Sequence, residues 1–112
     1  MHKALAALFV GLALAVSCFA QEQKFAELGD FKLESGEVIK DCRIGYRTYG
    51  KLNAEGTNAF LFTTWAGGTT EQAAGQFAPG GLIDTNKFFA VAIDAFANGV
   101  SSSPSNSKLQ PR

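Results

Sequence analysis

Two loops hold the residues of this chain best suited to chemistry. The first, Thr63 to Thr70 (TTWAGGTT), sets one large aromatic side chain, Trp65, and Ala66 beside two adjacent glycines, Gly67 and Gly68. A Gly-Gly step lets the backbone turn sharply and leaves N–H groups unshielded by a Cβ. Donors of that kind at a strand end can hold the negative oxygen that develops when an acyl group is attacked. An ordinary Gly-Gly turn has the same letters. No Gly-Lys-Ser/Thr follows, so the loop is not a phosphate loop. The second loop, Asp94 to Asn106 (DAFANGVSSSPSN), offers one carboxylate and a run of serines. Asp94 is placed to orient a substrate group or the loop, although an aspartate there more ordinarily accepts backbone N–H bonds in an Asx-turn. Asn98-Gly99 is a turn dipeptide. Ser101 to Ser103 lack the imidazole that would make a serine nucleophilic, because the only histidine is His2.

The elements that must position these loops can be read from hydrophobic period. Lys24 to Leu33 alternates weakly, and Ser35-Gly36 marks a hairpin turn. Val38 to Tyr49 alternates more cleanly, with Val38, Cys42, Ile44 and Tyr46 on one face and Asp41, Arg43 and Arg47 on the other; Lys40 is the misfit. That pattern predicts a half-buried antiparallel strand. Cys42, in mid-strand, reads as a small core residue rather than a reactive thiol. Gly50 to Thr57 is a loop. Asn58 to Trp65 and Lys87 to Asp94 are near-continuous apolar runs, as in parallel strands buried on both faces. Between them, Ala66 to Asn86 is long enough for the crossover that a parallel pair requires, with a short helix near Gln72 to Gln76. Both chemical loops then leave the carboxyl ends of neighbouring strands, where open α/β sheets bind ligands. Phe60, Phe62, Phe88 and Val91 have little visible cover, so the expectation is an incomplete domain.

The N-terminus reads as an export signal. His2-Lys3 is a basic start, Ala4 to Val16 is an uncharged apolar run, and Ala20 is a small residue at a cleavage position. The run is shorter than the roughly 20 residues a bilayer span needs, so no stable membrane span is expected. Residues 1–20 are assigned to the signal and 21–112 to one domain portion, exported to the periplasm or beyond. Lipoprotein processing at Cys18 is the lesser alternative, because Ala15 stands where a larger aliphatic is usual. After cleavage, nine basic face ten acidic side chains, with no basic patch, so nucleic-acid binding is excluded. One remaining cysteine, Cys42, excludes an internal disulfide, and the donor set supports no metal site.

Taken together, Leu33-Glu34-Ser35-Gly36-Glu37-Val38, the run Asp41 to Asn53 (DCRIGYRTYGKLN), Asn58-Ala59-Phe60-Leu61, Leu82 to Phe89 (LIDTNKFF) and Asn98-Gly99 resemble the N-terminal region of the homoserine O-acetyltransferase group of α/β-hydrolases. The resemblance covers residues 31 to 106. It implies the N-terminal part of an α/β-hydrolase fold, an antiparallel hairpin leading into parallel strands. It implies an acyltransferase or hydrolase working through an acyl-serine, with small-molecule acyl donor and acceptor, no resident cofactor, and a possible homodimer in the full-length form. It places one oxyanion donor on the Ala66 amide, with Trp65, Gly67 and Gly68 shaping the substrate side. The family's usual loop begins His-Ala-Leu-Thr-Gly, whereas this one reads Thr64-Trp65-Ala66-Gly67-Gly68. No Gly-x-Ser-x-Gly turn occurs, so the nucleophile, acid and histidine cannot be placed and the chain by itself is expected to be inactive. The alternative is a small exported β-rich binding module that presents Trp65 as its contact surface.

Overall fold

The computed structural model describes residues 21–111. The expected export signal, His2 and Cys18 lie outside those residues. Strands β1 (Lys24–Lys32) and β2 (Val38–Tyr49) form the hairpin, turning at Ser35-Gly36. Next come β3 (Ala59–Thr63), a 3₁₀ turn at Ala74–Gln76, the two-residue strands β4 (Phe77–Ala78) and β5 (Ile83–Asp84), and β6 (Phe89–Ile93). The main sheet runs β1-β2-β6-β3, with β2 antiparallel and β3 parallel to β6. The crossover from β3 to β6 contains only the 3₁₀ turn and the small parallel β4–β5 pair, so the helix expected near Gln72 to Gln76 shrinks to a single turn.

Lys40 was the misfit in the β2 pattern because the strand is not regular there. The β1–β2 register shifts between Glu27 and Phe31, and Asp41 takes φ +46°. Asp30 steadies this bulge: its carboxylate accepts Lys40 Nζ at 2.5 Å and the Asp41 N–H at 3.1 Å. A bulge of this kind resets the side-chain alternation, so Val38 cannot be assigned to a face by counting back from Tyr46.

The two faces of the sheet differ sharply. On one, the crossover and the loop after β6 pack down. Ala90 and Ala92 are fully buried beneath Tyr49, Ala73, Phe77 and Ile83, and Phe62 packs on the same cluster. Tyr49 stacks on Phe77 with ring centroids 4.4 Å apart, and Phe62 meets Phe77 edge-on at 5.3 Å. Phe62, expected to lack cover, therefore has it. On the other face, Ala26, Ile44, Tyr46, Val91 and Ile93 line an open apolar groove of about 270 Å³, and Leu61, opposite Val91 in the ladder, is 65% exposed. The continuous apolar runs of β3 and β6 thus suit a strand with two apolar faces, of which only one is covered among the described residues. Of the two arginines on the polar face of β2, Arg47 lies under the cover, whereas Arg43 is exposed. Arg47 Nε donates to Thr70 Oγ1 at 3.1 Å, and the Arg43 guanidinium sits 4.5 Å from the Phe25 ring centroid.

Candidate functional site

Because β3 and β6 are parallel neighbours, Thr63 and Ile93 end at the same rim and the two chemical loops leave side by side. The ladder continues one step past the strands, with the Thr64 N–H donating to the Ile93 carbonyl at 3.1 Å. The chain then makes a tight turn, closed by the Gly68 N–H on the Trp65 carbonyl at 2.9 Å. Gly67 is its third residue, with φ +75°, the value a type II turn requires and a side chain resists. Gly68 serves a different need. The Trp65 indole lies against it so closely that a Cβ there would sit 2.4 Å from the ring. One face of the indole is spent on this contact, and the side chain as a whole remains 52% exposed.

Ala66 and Gly67 are exposed at the tip of the turn. Among the described residues neither N–H donates to a partner. The rim therefore carries two free backbone donors beside a half-exposed indole, an arrangement able to receive a negative oxygen next to an apolar group.

The second loop packs beneath the first. Asp94 is 1% exposed and makes no local Asx-turn. Its Oδ1 accepts the Thr70 N–H at 2.8 Å and Asn98 Nδ2 at 3.0 Å. Its Oδ2 accepts Thr70 Oγ1 at 2.9 Å and Gln23 Nε2 at 3.1 Å. Sequence reading isolated Asp94 but saw Asn98 only as a turn residue and overlooked Thr70 and Gln23. Nothing in local spacing connects positions 23, 70, 94 and 98.

The serines are structural. Ser101, Ser102 and Ser103 are buried. Ser101 Oγ donates to the Asp94 carbonyl at 2.7 Å and accepts the Gly45 N–H at 2.9 Å. Ser102 Oγ accepts the Arg43 N–H, and Ser103 Oγ donates to the Ser101 carbonyl at 2.7 Å. Each hydroxyl is occupied and none has a base beside it. Cys42 is fully buried, and burial pushes its thiol above the ordinary range, the reverse of an activated nucleophile.

No family model matches the chain. Individual proteins do. A probable esterase of Corynebacterium glutamicum is 39% identical over 82 residues, 72% of this chain and 24% of that protein. A homoserine O-acetyltransferase of Geotalea daltonii is 32% identical over 91 residues, 70% of this chain and 25% of its own length. A crystal structure of an acetylester hydrolase from Corynebacterium glutamicum superposes with a TM-score of 0.70 at 36% identity, covering 77% of this chain and 25% of that one. The chain belongs to the homoserine O-acetyltransferase-like group of α/β-hydrolases. It spans about a quarter of the length of the relatives it matches. This α/β-hydrolase segment has the mixed sheet expected from its sequence: a hairpin leading into two parallel strands.

Proposed function

We propose that this α/β-hydrolase segment supplies half of an oxyanion hole to an exported enzyme that transfers or hydrolyses acyl groups through an acyl-serine. The Ala66 N–H is the donor. Trp65 forms the wall of the acyl site, while Gly67 and Gly68 set the path of the loop. The observation that carries this reading is the Ala66 amide itself, exposed, without an acceptor among the described residues, and held at the carboxyl rim of a parallel strand pair. The names of the relatives support acyl chemistry without choosing between hydrolysis and transfer. Export rests on the basic-apolar-small pattern of residues 1–20. An exported enzyme meets little coenzyme A, which favours ester hydrolysis or a different acyl donor. Ser101, Ser102 and Ser103 are buried and committed to structural hydrogen bonds, and no imidazole accompanies any serine among the described residues, which supports an inactive 112-residue chain.

The test uses the turn geometry. Ala66 is the second residue of a turn whose third residue has φ +75°, a position where proline is well tolerated. Ala66→Pro therefore deletes the N–H with little change in backbone path. Residues 21–111 are grafted in place of the matching quarter of the Corynebacterium glutamicum esterase, and hydrolysis of p-nitrophenyl acetate is followed. Loss of one oxyanion donor should lower kcat by about 10²–10³. A proline graft as fast as its parent sinks the reading. The 112-residue chain itself should show no fluorophosphonate labelling above a boiled control.

A further inference from the structure

The buried Asp94 carboxylate is unusual on its own terms. Its four donors come from Gln23, Thr70 and Asn98, and the nearest cation in the network, Arg47, reaches it only through the Thr70 hydroxyl. Burying a carboxylate costs free energy that a merely adequate core would avoid. What it fixes is informative. Thr70 lies two residues beyond the Trp65–Gly68 turn, and Asp94 holds both its N–H and its hydroxyl. Asn98 reaches the turn itself, donating Nδ2 to the Gly68 carbonyl at 3.0 Å. Asn98 is itself held, because its Oδ1 accepts the Val100 and Ser101 N–H groups at 2.8 and 3.2 Å. On the entry side, the Thr64 hydroxyl accepts the Ala95 N–H at 3.0 Å. The turn is thus pinned at residues 64, 68 and 70 to the segment following β6, and only residues 65 to 67 project freely.

We propose that Asp94, through Thr70, and Asn98, through Gly68, are positioning residues that clamp the Trp65–Gly68 turn in the orientation its free amides require. The clamp is a statement about the loop. That the clamped amide serves acyl transfer rests on the function proposed above. Neither residue touches the reacting atoms. A donor aimed at developing charge is useful only if it does not reorganise during the reaction, and a satisfied buried polar network is one way to prevent that.

The experiment is done on the full 112-residue chain, without any acyl chemistry, so its outcome is independent of whether the Ala66→Pro graft fails. Thr70→Val keeps the side-chain shape and removes the hydroxyl that links Asp94 to Arg47. Hydrogen exchange is measured at the amides of residues 64–70 and in the β1–β2 hairpin, together with fluorescence anisotropy of Trp65, the single tryptophan. We expect exchange at Gly68 and Thr70 to quicken about tenfold or more and the anisotropy to fall, with hairpin exchange within about twofold of the parent. Thr70→Ser restores both signals, which a role confined to packing would not predict. The clamp is overturned by a valine variant whose loop is as protected as the parent's. It is equally overturned by a loop that exchanges freely in the parent chain, or by loosening spread evenly over the hairpin.

Discussion

Gly67 and Gly68 are adjacent and identical in letter, yet they should fail in different ways. At Gly67 a Cβ meets nothing within 4 Å, and the obstacle is φ +75°. Gly67→Ala should therefore cost about 1–2 kcal/mol, the usual penalty for a side chain in left-handed backbone, and leave its surroundings in place. At Gly68 the backbone is unremarkable, and the obstacle is the indole, with ring atoms Cε2, Cδ2 and Nε1 at 2.4, 2.6 and 2.6 Å from the new Cβ. Comfortable carbon contacts begin near 3.5 Å, so the ring must retreat by about 1 Å. Trp65 is half-exposed and has solvent to move into, so Gly68→Ala should fall at the low end of the roughly 1–3 kcal/mol range for overpacking. The two variants then have similar urea midpoints and different spectra. Only Gly68→Ala should red-shift Trp65 emission and raise its quenching by acrylamide, and because the chain has one tryptophan the signal is unambiguous. A Gly68→Ala spectrum that overlays the parent's would refute the indole contact. A shifted spectrum in Gly67→Ala would refute the division of labour between the glycines.

Two further outcomes follow from the loops. Gly50→Ala should be far more damaging than Gly56→Ala. Both glycines have positive φ, but a Cβ at Gly50 would lie 2.3 Å from the Phe88 carbonyl oxygen and 2.9 Å from that of Thr85, whereas at Gly56 it meets nothing. Main chain cannot swing aside, so a loss of about 3 kcal/mol or more against about 1 for Gly56→Ala is expected in urea unfolding, and equal midpoints would contradict the packing. The Asp84 carboxylate is held below its ordinary range first by the Gly80 N–H at 2.9 Å and then by the Asn86 N–H at 3.0 Å. Its contribution is complete above the ordinary carboxylate value and is lost as pH falls through the lowered one. The Gly80 and Asn86 amide resonances should therefore titrate together below about pH 4, and Asp84→Asn should abolish that step; a midpoint in the ordinary carboxylate range would count against it.

Much of the fold was legible because it is written in local patterns. The hairpin followed from a turn dipeptide between alternating runs, and β3 and β6 from two apolar runs too far apart for a hairpin and close enough for a crossover. What the patterns could not show is which face of β2 would be covered. Alternation marks Ile44 and Tyr46 as apolar and Arg43 and Arg47 as polar, and the ordinary inference sends the first pair inward. Here a single crossover connects β3 to β6 and lies on one side of the sheet, the side of Arg47. Loops approach a strand face through hydrogen bonds as readily as helices do through oil, so the polar face acquired the cover. The groove lined by Ile44, Tyr46, Val91 and Ile93 was left open among the described residues.

The site was half legible for a related reason. The rim and its glycine turn could be placed by counting, but the serine run could not be interpreted without knowing strand lengths. β2 has twelve residues and β6 only five, so β2 extends well beyond the ladder its partner provides. Its surplus edge exposes N–H and C=O groups on Arg43 and Gly45 that must find partners if they are buried. The loop after β6 supplies them. The Asp94 N–H goes to the Gly45 carbonyl, Ser101 Oγ takes the Gly45 N–H, Ser102 Oγ takes the Arg43 N–H, and the Ser102 N–H goes to the Arg43 carbonyl. A hydroxyl can donate and accept at once, and here Ser101 does both, capping β2 while holding the Asp94 carbonyl. Three consecutive serines in an acyl-transfer family invite a search for the nucleophile. In this sheet they finish the edge of a long strand, and in doing so they set Asp94 beneath the turn that presents Ala66.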